Sequence, residues 1–147
     1  MKIADVFALV VPPERGVRFI AFDGSSAGPA DAPVTMELRT KRGASYLAGQ
    51  PNQLGLARAY VSGDLEIHGS AYEAMRRLYP LPLDHLTAGD KARIAATMLP
   101  FALSRPAPPA NEARLGGGRH SKRRDAEAIH HHYDVSNLFY SWVLGPS

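Results

Sequence analysis

Val34-Thr35-Met36-Glu37-Leu38-Arg39-Thr40 alternates apolar and polar side chains without interruption. A period of two belongs to a strand with one buried face, so Val34, Met36 and Leu38 are expected on the core side and Thr35, Glu37 and Arg39 on the other. Lys41-Arg42-Gly43 is expected to turn the chain. Upstream, Val17 to Ile20 is β-branched and aromatic and predicts another strand, followed by a long, mobile loop over Asp23-Gly24-Ser25-Ser26-Ala27-Gly28-Pro29. The first eleven residues read as a short amphipathic helix: Asp5 interrupts the apolar run, and Pro12-Pro13 closes it without the small-residue cleavage site of a signal peptide.

Downstream the periods change. Gln53 to Val61 is predicted helical, with Asn52 as N-cap, Gly63 as the stop, and Leu54, Ala57 and Val61 at near-helical spacing. Leu65-Glu66-Ile67-His68 alternates again and predicts a strand, with His68 at its surface end. Ser70 caps a helix over Ala71 to Tyr79 that Pro80 and Pro82 end. Thr87 opens the clearest helix, with Asp90 in the capping-box place usually held by Glu or Gln and with Ile94, Met98, Phe101 and Ala102 on one side. Pro100 is expected to kink or end it. Strands and helices therefore interleave, which predicts an α+β fold for residues 1–104. Residues 105–118, rich in Pro, Ala and Gly, read as a linker, and residues 119–147 as a helical appendage with helices over Asp125 to His132 and Leu138 to Leu144.

A chain of 147 residues accommodates one hydrophobic core, and a fold of that size buries about 70% of the surface its unfolded chain exposes. With no cysteine, disulfides, Cys-ligated metals and a thiol nucleophile are excluded within the segment, which fits a reducing, cytoplasmic setting. No stretch approaches the roughly 20 apolar residues of a spanning helix, so any membrane contact is expected to be peripheral. The net charge is +3, and the excess sits in residues 111–124, where Arg114, Arg119, Lys122, Arg123 and Arg124 face Glu112 alone. Arg119, Lys122, Arg123 and Arg124 suit anionic phospholipid headgroups, or simply solvate a linker. Nucleic acid is the weaker reading, because no stacking aromatic lies between Arg114 and Arg124. His130, His131 and His132 do not read as a metal site, since helical ligands sit at i and i+3 or i+4. Gly116-Gly117-Gly118 lacks the preceding strand and the Lys-Ser/Thr of a phosphate-binding loop. No catalytic dyad or nucleophile arrangement emerges.

The segment His132-Tyr133-Asp134-Val135-Ser136-Asn137, followed by Phe139 and Leu144-Gly145, resembles the entry into the catalytic half of the cyclopropane-fatty-acyl-phospholipid synthases and mycolic acid cyclopropane synthases. Leu138 departs from the pattern, standing where an acidic residue is common. A looser likeness runs from Val17 to Arg77, through Leu56-Ala57-Arg58-Ala59-Tyr60 and the acidic strand after it. The resemblance implies the amino-terminal part of an S-adenosylmethionine-dependent methyltransferase that modifies the double bond of unsaturated acyl chains in phospholipids, giving a cyclopropane or a methylene or methyl branch. It implies a lead-in to a Rossmann-like methyltransferase domain beyond Ser147, with His132, Tyr133, Asp134, Asn137 and Phe139 beside the active site. Individually, Tyr133 and Phe139 also read as core aromatics and Asp134 as a helix cap. The Glu-x-Gly-x-Gly strand-loop, the Tyr-Ser-Cys segment and the downstream acid and histidine of that family do not occur in this chain, so it is expected to be inactive alone. The partners implied are unsaturated phospholipid and the anionic inner membrane surface, with a homodimer left open. The competing reading is a free-standing lipid-binding or membrane-docking module that partners a separate catalytic chain, with an apolar cleft built by Leu54 to Tyr79.

Overall fold

The computed structural model describes residues 1–80 and 83–112, together with Lys122, Ala126, Ile129 and Trp142. The alternating stretch forms a strand, Val34–Leu38, with Val34, Met36 and Leu38 buried and Thr35 and Glu37 half-buried on the opposite face. It is the third strand in the chain, β3, and lies inside a four-stranded sheet of order β2-β1-β3-β4. β1 (Val17–Ala21) runs parallel to it with Val17 opposite Val34 and Ala21 opposite Leu38, and β4 (Leu65–His68) runs antiparallel on its far side. Val17, Phe19, Ala21, Val34, Met36, Leu38 and Leu65 present one continuous apolar face, and the helices cover it. Phe19 stacks on Phe7 of α1 (Ile3–Val10) with ring centroids 4.6 Å apart.

The stretch after β1 is a hairpin where a long loop was expected. Ser26–Ala27 forms β2, antiparallel to β1, and the Ala21 amide donates to the Ser25 carbonyl over 2.9 Å. Asp23 fastens this hairpin to α1: its Oδ2 accepts from the Ile3 amide at 3.1 Å and its Oδ1 from the Ser25 amide at 3.0 Å. Burial pushes the Asp23 carboxyl up, but the hydrogen bonds from Ser25 and Ile3 and the charge of Lys2 outweigh it and hold the group below its ordinary value.

A second correction falls at Lys41-Arg42-Gly43, which opens helix α2 (Lys41–Gly49) instead of turning the chain. Thr40 caps it, its side chain accepting from the Gly43 amide at 3.1 Å. The same hydroxyl donates to buried Asp64 at 2.7 Å, and Arg42 Nε donates to the other carboxylate oxygen at 2.6 Å. Its own bond to Asp64, with the charge of that carboxylate, raises the Arg42 guanidinium above its ordinary value. α2 packs small residues inward, Gly43, Ala44 and Ser45, with Tyr46 as the one large buried side chain. The Tyr46 hydroxyl donates to the Ala107 carbonyl over 2.5 Å and so ties α2 to the exit of α5.

α3 (Gln53–Val61) starts at Asn52 as expected, but a different face is buried: Gly55 and Ala59 point inward, whereas Leu54 and Val61 are exposed. α4 (Ala71–Leu78) is capped by Ser70, and α5 (Ala88–Ser104) by the reciprocal Thr87–Asp90 capping box. Pro100 does not end α5, which continues to Ser104. Pro100 and Ala96, the residue whose carbonyl loses its donor there, both lie on the exposed side, where water can serve that carbonyl. The chain divides into two compact units, Met1–Pro109 and Ala110–Ser147. In the second, Lys122, Ala126, Ile129 and Trp142 are helical and exposed.

The caps give a pH dependence. Thr87, through its hydroxyl and its amide, holds the Asp90 carboxyl below its ordinary value, as Ser25 and Ile3 do for Asp23. Such groups bind protons less readily folded than unfolded. Their stabilisation is complete above the ordinary aspartate value of about 4 and is lost as pH falls through the lowered folded values. The melting temperature is therefore expected to fall as the pH drops below about 4, less steeply in Asp23→Asn and Asp90→Asn variants. Thermal unfolding followed by circular dichroism across that range checks this, and an unchanged acid slope in both variants would count against it.

Candidate functional site

Of the residues singled out in the sequence, His132, Tyr133, Asp134, Asn137 and Phe139, with Arg119, Arg123 and Arg124, lie outside the described residues. Lys122 is described and is exposed on a helix. The described chain offers two other groupings of functional side chains.

The first lies on the open face of the sheet. The β3–β4 register sets Glu37 directly opposite Glu66, and Thr35 opposite His68. Two carboxylates facing one another repel, and cations answer them. Arg39 pairs with both, Nε standing 3.6 Å from Glu37 Oε2, and His68 Nε2 lies 2.8 Å from the same Glu37 oxygen. The hydrogen bond from His68, with the charge of Arg39, holds the Glu37 carboxyl below its ordinary value against a smaller opposing effect of burial. Glu37, Glu66 and His68 bring ligand atoms within 4.8 Å of one another, a spacing that a metal could use. The Arg39 guanidinium already supplies the cation there, so the cluster reads as a charged clasp between two strands. No single stretch of sequence reveals it, because the register alone assembles it. His68, read as a strand-end surface residue, is exposed.

The second grouping is on α4. Tyr72 and Met75, one turn apart on α4, and Tyr79, the extended residue that ends the helix, form a stripe that is 74%, 41% and 66% exposed. Beside it Glu73 pairs with Arg76 at 3.0 Å and Arg77 at 3.3 Å, and these partners, Arg76 foremost, hold its carboxyl below the ordinary value. Arg77 and Arg15 exchange hydrogen bonds with each other's backbone carbonyls at 2.9 and 3.1 Å, which fixes α4 beside the turn that precedes β1. α4 is thus a rigid helix presenting tyrosine and methionine to solvent, with arginines along its flank. Leu54, Tyr60 and Val61 on α3 are likewise exposed.

Over 150 aligned positions, covering 91% of this chain, half of the residues (50%) are identical to those of a probable fatty acid methyltransferase of Mycobacterium tuberculosis. The chain is homologous to probable fatty acid methyltransferases. A Pseudomonas putida protein of the same description is 36% identical over 94 positions, or 64% of this chain. These homologues are considerably longer: the chain spans 34% of the first and 18% of the second. The likeness supports a lipid methyltransferase family. No family model and no solved structure matches the chain.

Methyltransferases of such a family would hold S-adenosylmethionine in a glycine-rich turn between a parallel strand and a helix, with helix amides and a strand-end acid toward the cofactor. Among the described residues, the turn in that position is Arg39-Thr40, between β3 and α2. It contains no glycine, and the Asp64 carboxylate already occupies the Thr40 hydroxyl and the Arg42 guanidinium. The described residues do not form a cradle for the cofactor, and no chemical step is assigned to them.

Proposed function

We propose that this chain is the amino-terminal part of an S-adenosylmethionine-dependent methyltransferase that modifies the double bond of unsaturated acyl chains in phospholipids, forming a cyclopropane or a methylene or methyl branch. The observation that carries this reading is the 50% identity to the Mycobacterium tuberculosis homologue over 91% of the chain. In this reading the cofactor and the reacting atoms belong to the part that the longer homologues have beyond this span, and the α+β unit serves lipid presentation or docking at the cytoplasmic face of the inner membrane. Two features support lipid contact: the Tyr72–Met75–Tyr79 stripe, of the amphipathic kind that sits at headgroup level, and the sequence cluster Arg119, Lys122, Arg123 and Arg124. Among the described residues, no helix is long and apolar enough to cross a membrane. The stripe equally suits a free-standing lipid-binding module that works with a separately encoded catalytic chain.

The purified chain of 147 residues is expected to transfer no labelled methyl from S-adenosylmethionine to vesicles of unsaturated phosphatidylglycerol, while still sedimenting with them in low salt. Binding is expected to weaken at high salt and in the variant with Arg119, Lys122, Arg123 and Arg124 replaced by alanine. Methyl transfer by the chain alone would overturn the division of labour proposed. Coding DNA that continues in frame past codon 147 into a Tyr-x-Cys segment and a strand ending Glu-x-Gly-x-Gly would support the enzyme reading, and an immediate stop would favour the module.

A further inference from the structure

Between the start of α1, the turn after β1 and one side of α5 lies an open cleft of about 420 Å³. Its apolar lining comes from Met1, Ile3, Ala96 and the rings of Phe22 and Phe101, which meet edge-on with centroids 6.0 Å apart. Its polar side chains are Asp23 and Thr97. What these offer a ligand is acceptors. Asp23 Oδ1 is taken up by the amide and hydroxyl of Ser25, but Oδ2 takes only the Ile3 amide and keeps a site for a further donor. The carboxyl stays ionised near neutral pH. Among the described residues no cation pairs with it, the Met1 ammonium included, and Lys2 reaches it through its charge alone. The Thr97 hydroxyl gives its proton to the Arg93 carbonyl at 2.9 Å and is left as an acceptor. Ala96 adds a third, because Pro100, four residues on, has no N–H to give its carbonyl.

We propose that this cleft binds a primary alkylammonium ion, with its N–H groups on the free Asp23 oxygen and the Ala96 carbonyl and its carbon chain along Phe22 and Phe101. Acceptors without donors call for a donor, and a carboxylate makes the bond charge-assisted. The aromatic rings give the chain apolar contact and attract the cation where it lies over a face. A carboxylate ligand would meet Asp23 as a like charge, and an alcohol would bring one donor and no charge. A quaternary ammonium carries the charge without an N–H. The cleft has room for a short alkylamine and falls in the size range of small-molecule sites. None of these residues is needed for the lipid methyltransferase reading, so the two stand or fall separately. A free amine and the ethanolamine headgroup of a lipid present the same chemistry.

Hexylammonium chloride titrated into the 147-residue chain, followed through amide shifts in a proton–nitrogen correlation spectrum, is expected to move Phe22, Asp23, Ala96, Thr97 and Phe101 together. Hexyltrimethylammonium, hexanol and hexanoate are expected to bind at least about tenfold more weakly, the scale of one charge-assisted hydrogen bond. Asp23→Asn should weaken hexylammonium by a similar factor and leave hexanol unchanged. Because Asp23 also fastens the hairpin, Ala96→Phe provides a second variant. The position is exposed, so the variant should keep its circular dichroism while the cleft is filled and every ligand is lost. Equal binding of hexanol and hexylammonium, or shifts confined to other parts of the chain, would overturn the site. So would undiminished hexylammonium binding by Ala96→Phe. Sedimentation with phosphatidylcholine vesicles, with and without phosphatidylethanolamine, then separates the two sources. Retention that rises with the ethanolamine lipid and falls in Ala96→Phe assigns the site to a headgroup, and no rise assigns it to free amines.

Discussion

Truncation of Phe19 to alanine is expected to cost about 4 kcal/mol of stability. Phe19 is buried at the centre of the sheet, between Ala27 of β2 and Met36 of β3, and its ring lies flat on Phe7. Removing it opens a cavity that backbone pairing on both sides prevents from collapsing, and it strips α1 of its aromatic anchor. Domains of this kind have stabilities of about 5 to 15 kcal/mol, so the loss would consume much of the margin. Urea unfolding followed by circular dichroism measures it directly. A loss below about 1 kcal/mol would show that the Phe7–Phe19 stack is not the packing centre described here.

Gly55→Ala is expected to cost about 3 kcal/mol, against the gain of nearly 1 kcal/mol that alanine ordinarily brings to a helix interior. A methyl group at Gly55 would stand 2.1 Å from the Gln50 carbonyl oxygen and 2.6 Å from that of Tyr46. Both obstacles are backbone, so relief requires α3 to move away from the end of α2. Gly89 supplies the control, because a methyl there meets only the Thr87 hydroxyl at an ordinary 3.6 Å. Gly89→Ala should therefore leave stability unchanged or raise it slightly. Equal effects from the two substitutions would refute the close approach of α2 and α3.

That glycine also shows what the sequence reveals and what it hides. The alternation over Val34 to Leu38 reports its buried face directly because β3 has a core on one side and solvent on the other. The Asn52, Ser70 and Thr87 caps were legible because each needs only one side chain reaching back to nearby amides. The inward faces of α2 and α3 were not, because small residues largely fill them. Gly43, Ala44, Gly55 and Ala59 bury little apolar surface and leave no hydrophobic stripe, while the larger Leu54 and Val61 suggested the wrong face. β2, two residues long, has too short a period to register in sequence. The charged clasp was half visible: Glu37 and Arg39 were expected to share a face, but Glu66 and His68 join them only through the pairing of β3 with β4. The residues that carry the family resemblance, from His132 to Phe139, fall outside the described part of the chain.

The ends of the sheet have a consequence for how the protein behaves when crowded. An outer strand with free amides and carbonyls is a template for open-ended growth, and proteins blunt it by shortening the strand or placing charge on it. β2 is two residues long with Pro29 close behind, and β4 is four residues long and carries Glu66 and His68. Neither end offers a long apolar margin to an incoming strand. Concentrated solutions should therefore resist fibril formation by strand addition at these two edges.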